Sequence, residues 1–357
     1  RSSVQIGSGG YNADGNLEGN VFVNVNPLNG DPAGGGAITV NGGSGAESFA
    51  QIGIGGAAQD GSKNGNTTIR GASLEVIAGA GAAANAQIGA GSGIRSDLSD
   101  FGSGLINTTT SVTTTTGGVI LSAAGAGAHA FAQIGGGGLI ADGALSGNTG
   151  LSTVVNAARD IVITGGSNSN NYAMIGLGGS GGDGVKVNAG TSVTGTSVTM
   201  NGGSGASAFT QIGSGGGLTG GNNVSTGAVT GDTLVTTTTG GITATSGSGA
   251  NAYSMIGTGG SNLPGDISAT VSVNSAGVVT LNSASGGAGA FTQIGAGGLN
   301  ADGVHTGTTT VTAAGAVSLT GGANSDTYSQ IGSGGAGSDG NKVNATVSVR
   351  GASVAMT

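Results

Sequence analysis

Residues Ala290-Phe291-Thr292-Gln293-Ile294-Gly295-Ala296-Gly297-Gly298 carry the pattern that organises the whole chain. A short β-prone run ends in Ile, and glycines follow at once. The pattern occurs nine times, with its isoleucines at Ile6, Ile52, Ile88, Ile134, Ile175, Ile212, Ile256, Ile294 and Ile331. The intervals run from 36 to 46 residues and average about 41. A fixed motif separated by variable lengths signals stacked repeats whose insertions fall in loops.

Working outward from that stretch, one period holds three strand-like runs. Ala269–Val273 alternates and is β-branched; Val278–Leu281 follows a turn at 274–277; Ala290–Ile294 follows a Gly/Ala/Ser corner at 283–289. The glycine-rich residues 295–303 then lead back. Period-two alternation bounded by Gly, Asn and Asp is the strand signal, and no stretch has a helical period. Three strands and three corners predict one triangular rung of a parallel β-solenoid. The chain reads as one continuous domain, 1–357, of nine such rungs without helices. At normal interstrand spacing the rod would be roughly 43 Å long. Two rungs per repeat would need five or six strands, and only three are found.

The second run supplies inward pairs such as Ile161/Ile163, Val279/Leu281 and Val317/Leu319, with Thr or Ser between many of them. In the third run, Ile in every copy argues for an inward position. The aromatic column Phe49, Phe131, Tyr172, Phe209, Tyr253, Phe291 and Tyr328 then points outward with its Gln/Met column. There it would expose a stripe suited to lateral contact between rods. The opposite register buries the aromatics and Gln. A double period is also present: the phenylalanines recur every 78–82 residues and the tyrosines interleave at 81 and 75. Asn85 breaks the column in the third copy, and Ser3 in the first.

Composition narrows function. Glycine accounts for 83 of 357 residues, charged residues for only 7%, and the net charge is −8. Eight cations cannot make the basic footprint of a nucleic-acid binder. Without Cys there is no disulfide or thiolate metal site. No apolar run reaches the ~20 residues of a membrane-spanning helix. The chain opens on Arg1 without an apolar leader and reads as a processed product or an excised segment. It starts in a third strand (Val4–Ile6) and stops after a second (Ser353–Met356). We therefore expect compatible open strand edges at opposite ends of the rod, either inside a longer repeat protein or between stacking copies.

The phrase Gly-Ala-Gly-Ala-Phe-Thr-Gln-Ile-Gly-Ala-Gly-Gly at 287–298, with its eight relatives, resembles the Gly-rich repeats of very large bacterial surface proteins of the filamentous-haemagglutinin type. The resemblance covers essentially the whole chain. It implies a long parallel β-helix, export to the cell surface, and a role in adhesion, matrix or filament structure.

Chemistry is sparse. Asp14, Asp60, Asp142, Asp183, Asp302 and Asp339 each sit eight residues after the repeat Ile and precede Gly. Asp-Gly is a turn signal; the alternative is a carboxylate ladder holding Ca²⁺, an oxygen-seeking ion. Residues 178–186 fit the Ca²⁺-binding nonapeptide, but that pattern binds in tandem copies and this one stands alone. Thr runs at 108–110, 113–116, 236–239 and 308–310 would suit a water-ordering face only if successive rungs carried them. His129 falls in a corner, His305 in a return loop, and the five Arg at unrelated repeat positions. No catalytic constellation forms, so no enzyme is expected. Two readings remain: a structural repeat protein of an extracellular fibre, sheath or matrix that stacks end to end, or the stalk of a secreted adhesin meeting host or environmental surfaces.

Overall fold

The computed structural model describes the chain outside residues 1, 12–14, 26–34, 58–60, 94–103, 140–143, 147–150, 181–184, 188, 218–226 and 339–341. The architecture is an all-β parallel solenoid, with no helix among the described residues. Around one turn the chain runs Val271–Ser275, then Val279–Asn282, then Phe291–Leu299. These strands belong to three long sheets of fourteen, nine and ten strands. We call them the first, second and third sheets.

Each repeat is one rung. Ile256 pairs with Ile294 and Ile294 with Ile331, in parallel and in register. The whole isoleucine column pairs the same way from Ile6 upward. Because side chains alternate with period two, a slip of one residue would turn each strand inside out. The branched aliphatics hold that register. Residues Ile106–Thr114 show it: every second side chain is buried and the others are half-buried. Half of the Thr run there faces inward, including Thr108, Thr110 and Thr114.

The inward faces of the three sheets meet in one aliphatic prism. Val235, Val273 and Val311 come from the first sheet, Val279 and Leu281 from the second, and Ile256 and Ile294 from the third. Burying each such side chain stabilises by about 1.5–3 kcal/mol. Most rungs contribute few of these, so stability accumulates by stacking, as in other solenoids.

The third sheet departs from the simple prism. All four residues of Phe131–Ile134 are buried, and so are those of Phe209–Ile212. Ile and the small residue two before it face the prism, as expected. The aromatic and Gln/Met columns face away from it, yet the chain's own glycine-rich return covers them. Leu139, Leu299 and Ala336 from that return pack on the rings. The expected lateral-contact ladder is therefore corrected. Phe49, Phe131, Tyr172, Phe209, Tyr253 and Phe291 are buried and Tyr328 is half-buried, so no exposed aromatic stripe exists. A three-sided prism has only an inside and an outside; the return adds a second interior.

At one end of the stack Ser3–Ile6 pairs with Phe49–Ile52, and at the other Val354–Met356 pairs with Val317–Leu319. Val4, Ile6, Val354 and Met356 are exposed there.

Candidate functional site: the aromatic and glutamine spine

The second interior is a spine running along the rod. Six rings stack from Phe131 through Tyr172, Phe209, Tyr253 and Phe291 to Tyr328, with centroids 4.7–5.0 Å apart and planes within 7°. That spacing is the strand spacing itself. The rings are stacked because the backbones are.

Beside the rings lies the Gln column. Gln133 Nε2 donates to Gly136 O in its own rung, and to Gly176 O and Gly178 O in the next, at 3.1, 3.2 and 3.1 Å. Gln211 does the same to Ser214, Gly257 and Gly259, and Gln293 to Ala296, Gly332 and Gly334. Buried carbonyls need donors, and one carboxamide serves two rungs.

Met174 and Met255 take the Gln position in the Tyr172 and Tyr253 rungs. There the partner runs the other way. Tyr172 Oη donates to Gln133 Oε1 at 3.4 Å, and Tyr253 Oη to Gln211 Oε1 at 3.3 Å. In these two pairs a Phe–Gln rung offers an acceptor and the Tyr–Met rung above it supplies the hydroxyl. The Tyr328 rung departs from this: it carries Gln330, and neither Tyr328 Oη nor Gln293 Oε1 below it has a partner among the described residues. Burial pushes the phenols of Tyr172, Tyr253 and Tyr328 well above their ordinary pKa.

The glycines that follow the Ile are required by space as well as conformation. Gly176 has φ +144°, and a Cβ there would lie 1.9 Å from Gly213 O in the next rung. No L side chain tolerates both.

Few of the predicted chemical residues are described. Asp14, Asp60, Asp142, Asp183 and Asp339 lie outside the described residues; Asp302 is exposed at its corner. Among the described residues no group of three potential metal-ligating side chains forms. His129 is in a corner, as read, with φ 61°, and burial lowers its pKa. His305 is not in a return loop: it is fully buried in a strand of the first sheet, in register with Ile267 and Lys342. Arg70 and Arg350 do share a position, in one column of the first sheet that starts at Asn24 and runs between them through Thr113, Asn156, Thr194, Thr236, Asn274 and Thr312.

No family model, no curated protein and no solved structure matches this chain.

One ladder escaped the sequence reading. Lys63, Ile106, Leu145, Lys186, Val229, Ile267, His305 and Lys342 form a single column of the first sheet. Lys63 and Lys186 are buried, and Lys63 Nζ donates to Gly61 O at 3.1 Å. The signal was present: every Lys in the chain stands three residues after a repeat Asp, and so does His305. Burying an ammonium requires compensation, so such spacing is worth reading as a unit.

Proposed function

We propose that this chain is a structural rod segment of an extracellular fibre, sheath or matrix, built to extend rung upon rung. The observation that supports this reading is how the large side chains are used. From Phe131 to Tyr328 the rings, and the carboxamides and hydroxyls beside them, join one rung to the next inside the coil. Outward positions of the first sheet carry Thr and Asn ladders such as Asn156, Thr194, Thr236 and Asn274.

Residues 1–357 expressed alone and imaged by electron microscopy test it. End-to-end fibres are expected, shortened by Val354→Lys with Met356→Lys. Single rods at every concentration would overturn the assembly. The second reading, an adhesin stalk at a bacterial cell surface, rests on the resemblance of the Gly-rich repeats. A coding region thousands of residues long that carries a secretion domain would favour it.

Ca²⁺ held by the Asp turns is a separate proposal. Ligand binding to the folded state would raise melting with free Ca²⁺. A melting temperature that is the same in chelator and in millimolar Ca²⁺ would leave the Asp-Gly pairs as turns only.

A further inference from the structure

The first sheet opens a cleft on its outer face, in the lowest rungs of the rod. Three strands stack there in register: Leu17 on Lys63 on Ile106, and Glu18 on Asn64 on Asn107. Ile106 lies in a buried cluster with Ile54 and Leu145, and Leu17 packs on it. Strands alternate, so the residues on either side of this column face out. Asn16, Ser62 and Leu105 form one outward row, and Glu18, Asn64 and Asn107 the other. The two rows line a cleft of about 130 Å³.

The cleft carries both donors and acceptors. Asn16 Oδ1 accepts from the Ser62 N–H at 3.0 Å, so its Nδ2 remains a donor. Asn107 Nδ2 donates to Asn64 Oδ1 at 3.4 Å, which leaves Asn64 Nδ2 as a donor and Asn107 Oδ1 as an acceptor. The Glu18 carboxylate accepts only, and the Ser62 hydroxyl does both. Leu105, 43% exposed, adds an apolar patch. Lys63 lines the inner wall, but it is 99% buried and its ammonium donates to Gly61 O at 3.1 Å. Among the described residues, Glu18 is therefore the charge that an occupant meets. Higher up, the rows lose these groups: Ser146 and Val187 follow Asn107, and Ala144 and Val185 follow Leu105. The polar cleft is confined to three rungs.

We propose that this cleft binds a single neutral sugar ring. Each sugar hydroxyl both donates and accepts, so it can satisfy a lining of carboxamides, hydroxyl and carboxylate. A hydrocarbon would leave those groups unpaired, and an anion would meet the like charge of Glu18. The C–H face of the ring packs on Leu105. The space limits the occupant to one ring, since an apolar cavity of about 150 Å³ takes up one benzene. The cleft lies on the side of the coil, so the site does not depend on whether rods assemble end to end.

Ligand-observed NMR titration of residues 1–357 with the methyl glycosides of glucose, galactose, mannose and N-acetylglucosamine tests this. At least one should bind saturably, one per chain, with a Kd in about the millimolar range that a ligand of this size allows. The uronic acid of the same configuration should bind several-fold more weakly, and Glu18→Gln should remove that difference. Asn64→Ala and Asn107→Ala should each weaken binding about threefold to tenfold, one hydrogen bond's worth. Ser62→Phe, which fills the cleft, should abolish it, and Asn156→Ala, outward on the same sheet but outside the cleft, should change nothing. If Ser62→Phe does not fold, the Asn64 and Asn107 variants still decide. A linear trisaccharide of the bound sugar tests whether the rod follows a chain: affinity close to that of the single ring supports a one-ring site, and binding about tenfold tighter overturns that part. No binding by any of the four glycosides, binding untouched by the Asn64, Asn107 and Ser62 variants, or tighter binding of N-acetylglycine methylamide, which would assign the cleft to a peptide, overturns the site.

Discussion

The two interiors of this rod obey different rules. The aliphatic prism accepts substitution freely: its second-sheet column passes through Ile, Val, Leu, Met and Ala at paired positions without loss of burial. The spine, on the other face of the third sheet, is narrow in its chemistry from Phe131 upward. Only Phe or Tyr stacks there, only Gln or Met lies beside it, and glycine holds the approach to the next rung. Hydrophobic burial is non-directional and asks mainly for volume. Stacked rings, shared carboxamides and positive-φ backbone ask for position. The prism supplies much of the stability and blocks a one-residue slip; the spine adds a demand on which residue sits above which.

That contrast is broken most severely at the glycines. Gly176→Val should cost more than about 4 kcal/mol or prevent folding, whereas Gly125→Ala, at φ +70° with open space around it, should cost about 1 kcal/mol. Urea denaturation compares them. Equal effects would mean that the return is not held by neighbouring rungs.

A sharper version uses one strand. Phe209 and Ile212 lie three residues apart on opposite faces of the third sheet. Phe209→Ala should cost about 3–4 kcal/mol and Ile212→Val about 1 kcal/mol. A triple change of Phe131, Phe209 and Phe291 to Ser should unfold the rod rather than leave intact rods that no longer bundle.

The smallest effect is one of pH. The buried phenols of Tyr172, Tyr253 and Tyr328 have raised pKa values, so above about pH 10 the folded state holds protons that the unfolded chain has released. The contribution of these phenols to stability is therefore level below pH 10 and falls as pH rises beyond it. Replacing all three by Phe should flatten the alkaline limb of a melting-temperature profile. The aliphatic prism, which does not titrate, contributes nothing to that slope.

Much of this was legible in the residues, and the failures have causes. The period, the inward Ile and one rung per repeat follow from alternation, which a solenoid cannot violate without exposing its core. The fate of Phe131 and Gln133 was not legible, because alternation says only that they lie opposite Ala132 and Ile134. Whether that other face is wet depends on where Gly135–Leu139 folds, and glycine leaves no periodic signature. Met174 and Met255 in the same column were the available hint of a dry place. His305 was misread because its neighbours Asp302 and Gly303 resemble a turn, while its strand begins only two residues later.

The alternation of Phe–Gln with Tyr–Met rungs has a consequence for how such a gene can change length. Loss of the Phe209 rung alone would set Tyr172 and Met174 directly beneath Tyr253 and Met255. The Tyr253 hydroxyl would lose its acceptor, and no carboxamide would stand between two successive methionines. Loss of the Tyr172 rung alone would leave the Gln133 acceptor facing Phe209, which has nothing to donate. Removing or adding a Phe–Gln and a Tyr–Met rung together keeps the remaining Tyr–Met hydroxyl over an acceptor. Recombination between repeats is therefore expected to preserve parity, and the copy number of this array should drift in steps of two.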